Sequence, residues 1–395
     1  MKKIYKTGLA FILALLFAMP AFAQYSFQSG DNTIQVSGLA AVYYNNRILK
    51  PGNDNYKNNR FTLRNLQFEL EARNGKNWET KFKVDFAKIM SNTDPANFDP
   101  ENPGISNAYV QYSGLPVKFK FGFDKLPYSQ GSLNDVFGTP FWSRGILTGG
   151  DLFSRRDMGL TLHYPCWQQR INVYGGVYTG MGENMLTMSD SDPSGHYEYV
   201  GRIDVAYPTR YRYNEIDLVH VPIPMFRIGA NARYTDKTQT AGNTLPLGLG
   251  GNYGVRVING KRLVYGLDAS AQYMGFSAQA EFHVINLQPA DPSDILFNNT
   301  TAAFNGGKVL SGGLLTRVNY NSLLLRSTLS CQFENLNLNN LVPGTEQLLS
   351  VAYAYNVKGF DSVLKVQYYH PLKEDQNSDP LKWTDQIRLG YQYQF

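Results

Sequence analysis

Residues 78–86 read WETKFKVDF, a stretch in which charged residues occupy every second position. Phe82 and Val84 fall on one parity, and Lys81 and Lys83 fall on the other. Successive side chains of a β-strand point to opposite faces of the sheet, so the stretch predicts a strand with one apolar and one charged face. A face of successive charges cannot pack into a protein core and must contact water. The apolar face then needs a second, different environment.

The same alternation recurs along the chain, for example at residues 66–73, 117–124 and 386–395. It predicts about 16 strands, each close to the length of a tilted strand that crosses a membrane. After residue 23, no apolar stripe with the 3.6-residue period of a helix has comparable strength. The predicted strands begin near Thr33, Arg60, Trp78, Ile105, Val117, Met158, Arg170, Tyr197, Met225, Arg262, Phe276, Lys308, Leu323, Gln347, Ser362 and Thr384.

The predicted connections alternate between short and long. The short ones are residues 74–77, 113–116, 165–169, 274–275, 321–322 and 358–361, and long ones fall between them. Outer-membrane β-barrels alternate short periplasmic turns with long external loops in this way, whereas a soluble β-sandwich or propeller would not do so throughout. One connection breaks the rule, because Pro208 to Pro224 is too long for a simple turn. It predicts either irregular structure or a different strand pairing there.

The N-terminal residues predict export. Lysines precede an apolar stretch from Leu9 to Ala18, and residues 21–23 form an A-x-A cleavage signal. We expect residues 1–23 to be a signal peptide and residues 24–395 to form an outer-membrane barrel of a Gram-negative bacterium. A transmembrane anchor is the alternative, but the apolar stretch is shorter than the roughly 20 residues that a membrane helix needs.

The composition agrees with a barrel that has a wet interior. Aromatic residues make up 14% of the chain, yet the mean hydropathy is only −0.33. Lys and Arg exceed Asp and Glu by five (37 against 32), and three of those lysines lie in the predicted signal peptide, which leaves +2. This balance does not indicate a nucleic-acid partner. Cys166 and Cys331 lie far apart in the sequence, and we expect both to be unpaired.

The segment from Asn107 to Ala206 resembles the phosphate-selective porin O and P family. The residues that carry the resemblance begin with NAYVQYSGLPVKFKFGFDKLPYS at 107–129 and continue with FWSR at 141–144. They end with SRRDMGLTLHY at 154–164, GGVY at 175–178 and GRI at 201–203. About a quarter of the chain is covered well, and the remainder agrees in strand rhythm rather than in motif.

The resemblance implies an all-β, 16-stranded antiparallel transmembrane barrel, usually a homotrimer, whose third external loop folds inward and narrows the pore. In this chain that loop corresponds to residues 124–156. In the family, basic side chains at the constriction hold and pass anions; the matching positions are Lys125, Arg155 and Arg156, with Arg144 as a further candidate. The predicted polar faces of the strands carry both signs of charge, which departs from a purely basic pore. Ion pairing with nearby acids is the alternative role of these arginines.

The last strand and several aromatic residues predict how the barrel meets its surroundings. The C-terminal YQYQF, ending at Phe395, resembles the terminal strand by which the barrel assembly machinery recognises its clients. Aromatic residues near strand ends are typical of the girdles at the two membrane interfaces. We expect outer-membrane lipid around these side chains, which include Trp78, Tyr112, Tyr178, Tyr273, Tyr368 and Tyr391.

Other chemistry has little support in the sequence. Residues 190–195 begin like a calcium-binding loop, but the closing glutamate is misplaced, because position 201 is glycine. The five histidines do not cluster as metal ligands would. Sequence motifs of hydrolases and nucleotide-binding proteins are lacking. We therefore expect neither an enzyme nor a cofactor.

The sequence thus predicts a porin that forms a water-filled channel for small hydrophilic solutes, with anions such as phosphate as the family-based expectation. A barrel whose external loops bind ligands or surfaces is the alternative from a different class. A barrel-embedded hydrolase is a third possibility, and it would need a Ser–His pair at matching height on adjacent strands.

Overall fold

The structure is a computed structural model that describes residues 25–48, 59–91, 104–149, 152, 154–180, 182, 195–210, 214–237, 255–257, 260–291, 295–297, 300–301, 308–340, 343–376 and 384–395. The predicted signal peptide and the calcium-like residues 190–194 lie outside these ranges. Sixteen antiparallel strands form the barrel. They are β2 (Asn32–Ile48), β3 (Asn59–Asn74), β4 (Trp78–Asp85), β5 (Ile105–Tyr112), β6 (Lys118–Lys125), β7 (Arg156–Cys166), β8 (Ile171–Tyr178), β9 (Glu198–Tyr207), β10 (Met225–Lys237), β12 (Gly260–Tyr273), β13 (Phe276–Pro289), β16 (Val309–Ser322), β17 (Ser327–Asn337), β18 (Glu346–Lys358), β19 (Ser362–Glu374) and β20 (Asp385–Gln394).

The barrel closes because the first and last of these strands pair with each other. Leu39 to Ile48 of β2 pair with Asp385 to Gln394 of β20 in an antiparallel register. A short strand, β1 (Tyr25–Ser29), pairs with the start of β2, just beyond the end of β20. Every consecutive pair of barrel strands is hydrogen-bonded in an antiparallel ladder. Closure removes the free edges, so the backbone hydrogen bonds are satisfied within the sheet.

The remaining elements are short and belong to connections. Strands β11 (Val255–Val257), β14 (Ile295–Phe297) and β15 (Thr300–Thr301) form a small separate sheet. Helix α1 (Phe86–Ser91) follows β4. Between β6 and β7 lie α2 (Gln130–Leu133), a 3₁₀ turn (Val136–Gly138) and α3 (Ile146–Gly149). Among the described residues, no helix has the length and apolar character to cross a bilayer.

The alternation seen in the sequence becomes two faces of the barrel wall. In β12, Arg262 is 1% exposed and its neighbour Leu263 is 39% exposed. Along β9, residues of one parity are buried and those of the other parity are exposed. A closed barrel hides only its interior from solvent, so the polar parity faces inward and the apolar parity faces outward. The wall therefore has the two different faces that the alternation predicts.

The predicted strand starts are confirmed to within two residues, except that the strand expected near Leu323 begins at Ser327. Residues 323–326 form a turn instead, with Arg326 in the left-handed region at φ 50°. The three leucines of this turn, which follow Asn321 and Ser322, form a short apolar run that imitates the start of a strand in the sequence. Leu324 is 92% exposed at the rim of the barrel.

Two further predictions can be checked against the described residues. Cys166 and Cys331 are both free thiols, as expected. Trp78 and Tyr112 lie outside the barrel with ring centroids 4.7 Å apart, which fits an interfacial girdle. Tyr178, which was placed in the same girdle, is instead buried, with 2% exposed. Its ring lies against Gly159 and Gly176, where an added Cβ would collide with it, and its hydroxyl is 2.6 Å from Thr161 Oγ1.

Candidate functional site

A polar cavity of about 280 Å³ lies against the inner faces of β3 to β8. Its wall carries more basic than acidic side chains: the lysines are Lys81, Lys83, Lys118, Lys120 and Lys125, and the acids are Glu69, Asp124 and Asp135. Asn107, Tyr109, Gln111, Thr161, His163 and Tyr174 add hydrogen-bonding groups. We call this space the lysine cavity.

The strand period explains why the lysines converge. Lys81 and Lys83 are two residues apart in β4, and Lys118 and Lys120 are two apart in β6, so each pair points into the barrel. The side chains keep part of their surface open; that of Lys120 is 26% exposed. Some of their charge is compensated, since Lys81 Nζ lies 2.6 Å from a carboxylate oxygen of Glu69. The cavity as a whole keeps an excess of cations, which favours anions.

A second cavity, of about 120 Å³, lies beside the first and shares three lining residues with it, Glu69, Lys83 and Asp135. It reaches Ser37 of β2 and Gln394 of β20 on the other side of the 3₁₀ turn. The polar space therefore continues along the inner wall from β8 round to β20.

The connection between β6 and β7, residues 126–155, borders this space, and Pro127, Leu133 and Asp135 line the lysine cavity. We call this connection the β6–β7 segment. It contacts inward-facing groups of the opposite strands through its backbone. The amide of Gly131 donates to Glu281 of β13, and those of Ile146 and Leu147 donate to Glu334 of β17 at 2.9 and 3.0 Å. Trp142 donates from its amide to Gln367 of β19 at 2.8 Å. Acceptors spread over β13 to β19 thus hold the segment.

Where the β6–β7 segment contacts these strands, their inward-facing side chains are buried. Along β9 to β19, charged side chains pair with each other beneath the segment: Arg202 donates to Asp268 at 2.8 Å and to the carbonyl of Tyr128 at 2.7 Å. Both charged side chains are fully buried. We call the inner face of β9–β19 the packed wall and that of β3–β8 the open wall.

The four basic residues predicted for the constriction lie in two different settings. Lys125 lines the lysine cavity, donates to the carbonyl of Leu133 at 2.9 Å and lies 2.9 Å from Asp135. Arg156 reaches the same carboxylate at 3.9 Å. Arg156, at 4% exposed, is nevertheless buried and is not among the residues that line the cavity, and Arg144 and Arg155 are buried in the packing of the segment.

The buried pair is fixed by local partners. Arg155 donates to the carbonyls of Ser132 and Asn134 at 3.0 and 2.9 Å, so it braces the segment internally. Arg144 lies 3.2 Å from Glu215, which belongs to the connection between β9 and β10. Ion pairing was the alternative role expected of the arginines, and Arg144 makes such a pair; the contacts of Arg155 with backbone carbonyls of its own segment were not anticipated.

Asp135 is the acidic group of the β6–β7 segment that lines the lysine cavity. Desolvation alone would raise its pKa, but Lys125 and Lys83 nearby hold the pKa well below its ordinary value. The carboxylate therefore stays charged at neutral pH and cancels part of the positive charge. Among the described residues, no group of three or more His, Cys, Asp or Glu side chains could hold a metal ion.

The sequence did not single out Lys118 and Lys120, nor Glu215. The two lysines were visible as the polar parity of one strand, but nothing local indicates that β4 and β6 share one cavity. Glu215 lies in the connection that was too long for a turn, and that anomalous length was the available signal.

Comparisons with known proteins agree with the geometry. The chain is similar in structure to the outer-membrane channel DcaP of Acinetobacter baumannii, with a TM-score of 0.56 and 14% identity over 93% of this chain and 99% of that one. It is similar to an anion-selective porin from Comamonas acidovorans, with a TM-score of 0.54 and 12% identity over 92% and 100%. It also resembles OmpT of Vibrio cholerae in its trimer form, with a TM-score of 0.55 and 10% identity over 92% and 99%.

These structural likenesses establish the barrel fold. A comparison with curated protein sequences finds no match. The profile of the family described as phosphate-selective porin O and P matches residues 42–307, about two thirds of the chain. The match begins in β2 and extends past β13, well beyond the segment that carried the resemblance in the sequence. The chain therefore belongs to the phosphate-selective porin O and P family.

Proposed function

We propose that this protein is an outer-membrane porin through which small hydrophilic solutes diffuse, with a preference for anions that is set by the lysine cavity. The observation that carries the proposal is the placement of five lysines against three acids around one polar cavity on the open wall. Cations beside a narrow, partly dehydrated path attract anions more strongly than they would in bulk water. Membership of the porin family supports a channel rather than an enzyme.

The β6–β7 segment serves as the constriction in this proposal. Its contacts with inward-facing groups of β13, β17 and β19 support a position inside the barrel. Lys125 is then the predicted constriction residue that lines the path, and Arg156 lies next to it through the shared carboxylate of Asp135. Arg144 and Arg155 give the segment its shape and contribute positive potential from behind it.

The cellular setting is also proposed. Residues 1–23 direct export, and the barrel assembly machinery recognises the terminal strand that ends at Phe395. The apolar outer face contacts the lipid of the outer membrane. The protein forms a homotrimer, which the family resemblance favours and which the trimer form of OmpT from Vibrio cholerae illustrates for a similar fold.

Ion selectivity in planar bilayers tests the proposal. Purified protein in a KCl gradient should give a reversal potential displaced toward that of chloride. The double variant Lys118→Glu/Lys120→Glu should shift the potential toward that of potassium, since two cations of the cavity become anions. Lys76→Glu is the matched control, because this exposed lysine lies in the turn between β3 and β4 and outside the cavity.

Two results would contradict the proposal. A wild-type protein that forms no channels would remove the porin function. A channel whose reversal potential is the same in the double variant as in the Lys76 control would remove the role of the lysine cavity and leave a non-selective pore.

A further inference from the structure

The connection between β9 and β10, residues 208–224, is the one that was too long for a turn. Strands β9 and β10 are nevertheless paired in register from Glu198 to Tyr207, so the pairing is ordinary and the extra residues have another role. The connection lies at the same end of the barrel as the short turns. We call it the β9–β10 segment; residues 214–224 are described in full.

The β9–β10 segment extends across the barrel instead of returning directly to β10. The carbonyl of Glu215 accepts from Ser277 Oγ of β13 at 2.8 Å and from Asn319 Nδ2 of β16 at 3.0 Å. Ile216 packs on Ala354 of β18 and Val363 of β19. Five strands separate β10 from β19 in the barrel, so the segment bridges distant parts of the wall instead of joining two neighbouring strands.

The side chain of Glu215 links the two segments to each other. Asn134 Nδ2, in the β6–β7 segment, donates to one carboxylate oxygen at 3.0 Å, and Arg144 of the same segment donates to that oxygen at 3.2 Å. Arg317 of β16 donates to the other oxygen. The three charged side chains are at most 2% exposed.

Each of the two arginines also donates a hydrogen bond to a backbone carbonyl of the β6–β7 segment. Arg144 donates to the carbonyl of Gly131, and Arg317 donates to the carbonyl of Arg144 at 3.1 Å. The carboxylate of Glu215 is therefore the shared counter-ion of a cation in the β6–β7 segment and a cation in the wall. Removing its charge leaves two buried guanidinium groups without that compensation, which is strongly unfavourable.

Desolvation would raise the pKa of Glu215, but Arg317 and Arg144 hold it below its ordinary value. The carboxylate is thus ionised at neutral pH, as the ion pairs require. The geometry, with three donors converging on one side chain, establishes the contact independently of this shift.

We propose that Glu215 is a positioning residue: through it, the β9–β10 segment clamps the β6–β7 segment onto the packed wall and keeps that half of the interior closed. Solutes are then confined to the open wall and its lysines. The clamp rests on the proposed porin function, because it determines which part of the interior conducts. It operates from the turn end of the barrel, opposite to the end from which the long loops emerge.

Single-channel recording of Glu215→Gln tests the clamp. The amide keeps the shape and the acceptor oxygen but loses the charge. We expect the steady open level of the wild type to be replaced by transitions to a second level of about twofold higher conductance, with a weaker anion preference at that level. Glu215→Asp, which retains the charge, should restore much of the steady behaviour.

Asp217→Asn is the matched control in the same segment. Asp217 accepts from the amides of Val221 and Gly275, which both lie outside the β6–β7 segment, so the loss of its charge should leave the conductance level unchanged. The double variant Arg144→Gln/Glu215→Gln should show no further increase over Glu215→Gln. Heat-dependent mobility on gels checks that each barrel has folded.

The outcomes separate the clamp from the porin function. If Glu215→Gln forms channels with the same conductance and the same steady open level as the wild type, the clamp is overturned and the porin function is left intact. If the Glu215→Gln barrel does not fold, the clamp is tested with Glu215→Asp and Arg144→Gln instead. Channels of wild-type conductance and steadiness in Arg144→Gln would likewise overturn the clamp. Absence of conductance in the wild type would instead count against the porin function.

Discussion

The open wall and the packed wall are built from the same sequence pattern but differ in what covers them. On both, charged residues alternate with apolar ones. On the packed wall the β6–β7 and β9–β10 segments lie over the charges, and Arg202 and Asp268 are fully buried. On the open wall Lys81 and Glu69 keep 21% and 19% of their side-chain surface exposed. Alternation therefore builds a barrel, whereas the connections cover one part of its interior and leave the other part open, which in the proposed function is the part that conducts.

The largest expected effect is on stability: breaking an ion pair should destabilise the protein more in the packed wall than in the open wall. Asp268→Asn removes the charge that compensates Arg202 in the packed wall, and breaking a buried ion pair costs about 3–5 kcal/mol in the free energy of unfolding. Glu69→Gln is the matched change on the open wall. There the pair is partly solvated, and the expected loss is about 0–1 kcal/mol.

Urea unfolding of both variants in the same detergent or lipid, followed by tryptophan fluorescence, measures this difference. Equal losses of stability would mean that the two walls are equally solvated, and the comparison would fail.

A smaller effect concerns the charge of Asp135 in the lysine cavity. Asp135→Asn should move the reversal potential further toward that of chloride, because it removes one of the three acids there. Protonation should not reproduce this shift between pH 7 and pH 5. The pKa of Asp135 is held below its ordinary value by Lys125 and Lys83. A depressed pKa means that the ion pair is present above the pKa of the unfolded chain and is lost only as the pH falls through the lower folded value.

The pH series is recorded on wild type and on Asp135→Asn side by side. If the wild type acquires the reversal potential of the variant already at pH 5, Asp135 is not held by these lysines in the way the geometry indicates.

Much of the barrel could be predicted from the sequence because strand alternation is local. The positions of the strands follow from residues two apart, and the error at Leu323 arose where an apolar turn extended that pattern. The long Pro208–Pro224 connection was recognised as anomalous, but its path could not be read. Its contacts join Glu215 to Arg317, which is 102 residues away.

The candidate site was harder to predict because its residues, too, are brought together from distant parts of the sequence. Lys125 was expected near the constriction and lines the lysine cavity. Arg144 and Arg155 were expected in the same place because the family resemblance puts basic residues of this loop at the constriction, yet a compact loop buries some of its side chains to hold its own shape. Which cations face the path depends on the fold of the loop, and polarity alone does not reveal it.

The most direct test of the account compares the access of solutes to the two walls. Thr161→Cys places a thiol in the lysine cavity, and Ser350→Cys places one on the packed wall, where Ser350 is 3% exposed. Both are made in a background with Cys166→Ser and Cys331→Ser. A charged, membrane-impermeant methanethiosulfonate reagent is added to the bilayer chamber while current is recorded. If solutes pass along the open wall, the reagent should rapidly and partly block the Thr161→Cys channel and leave the current of Ser350→Cys unchanged. Equal block of both channels would contradict a closed packed wall.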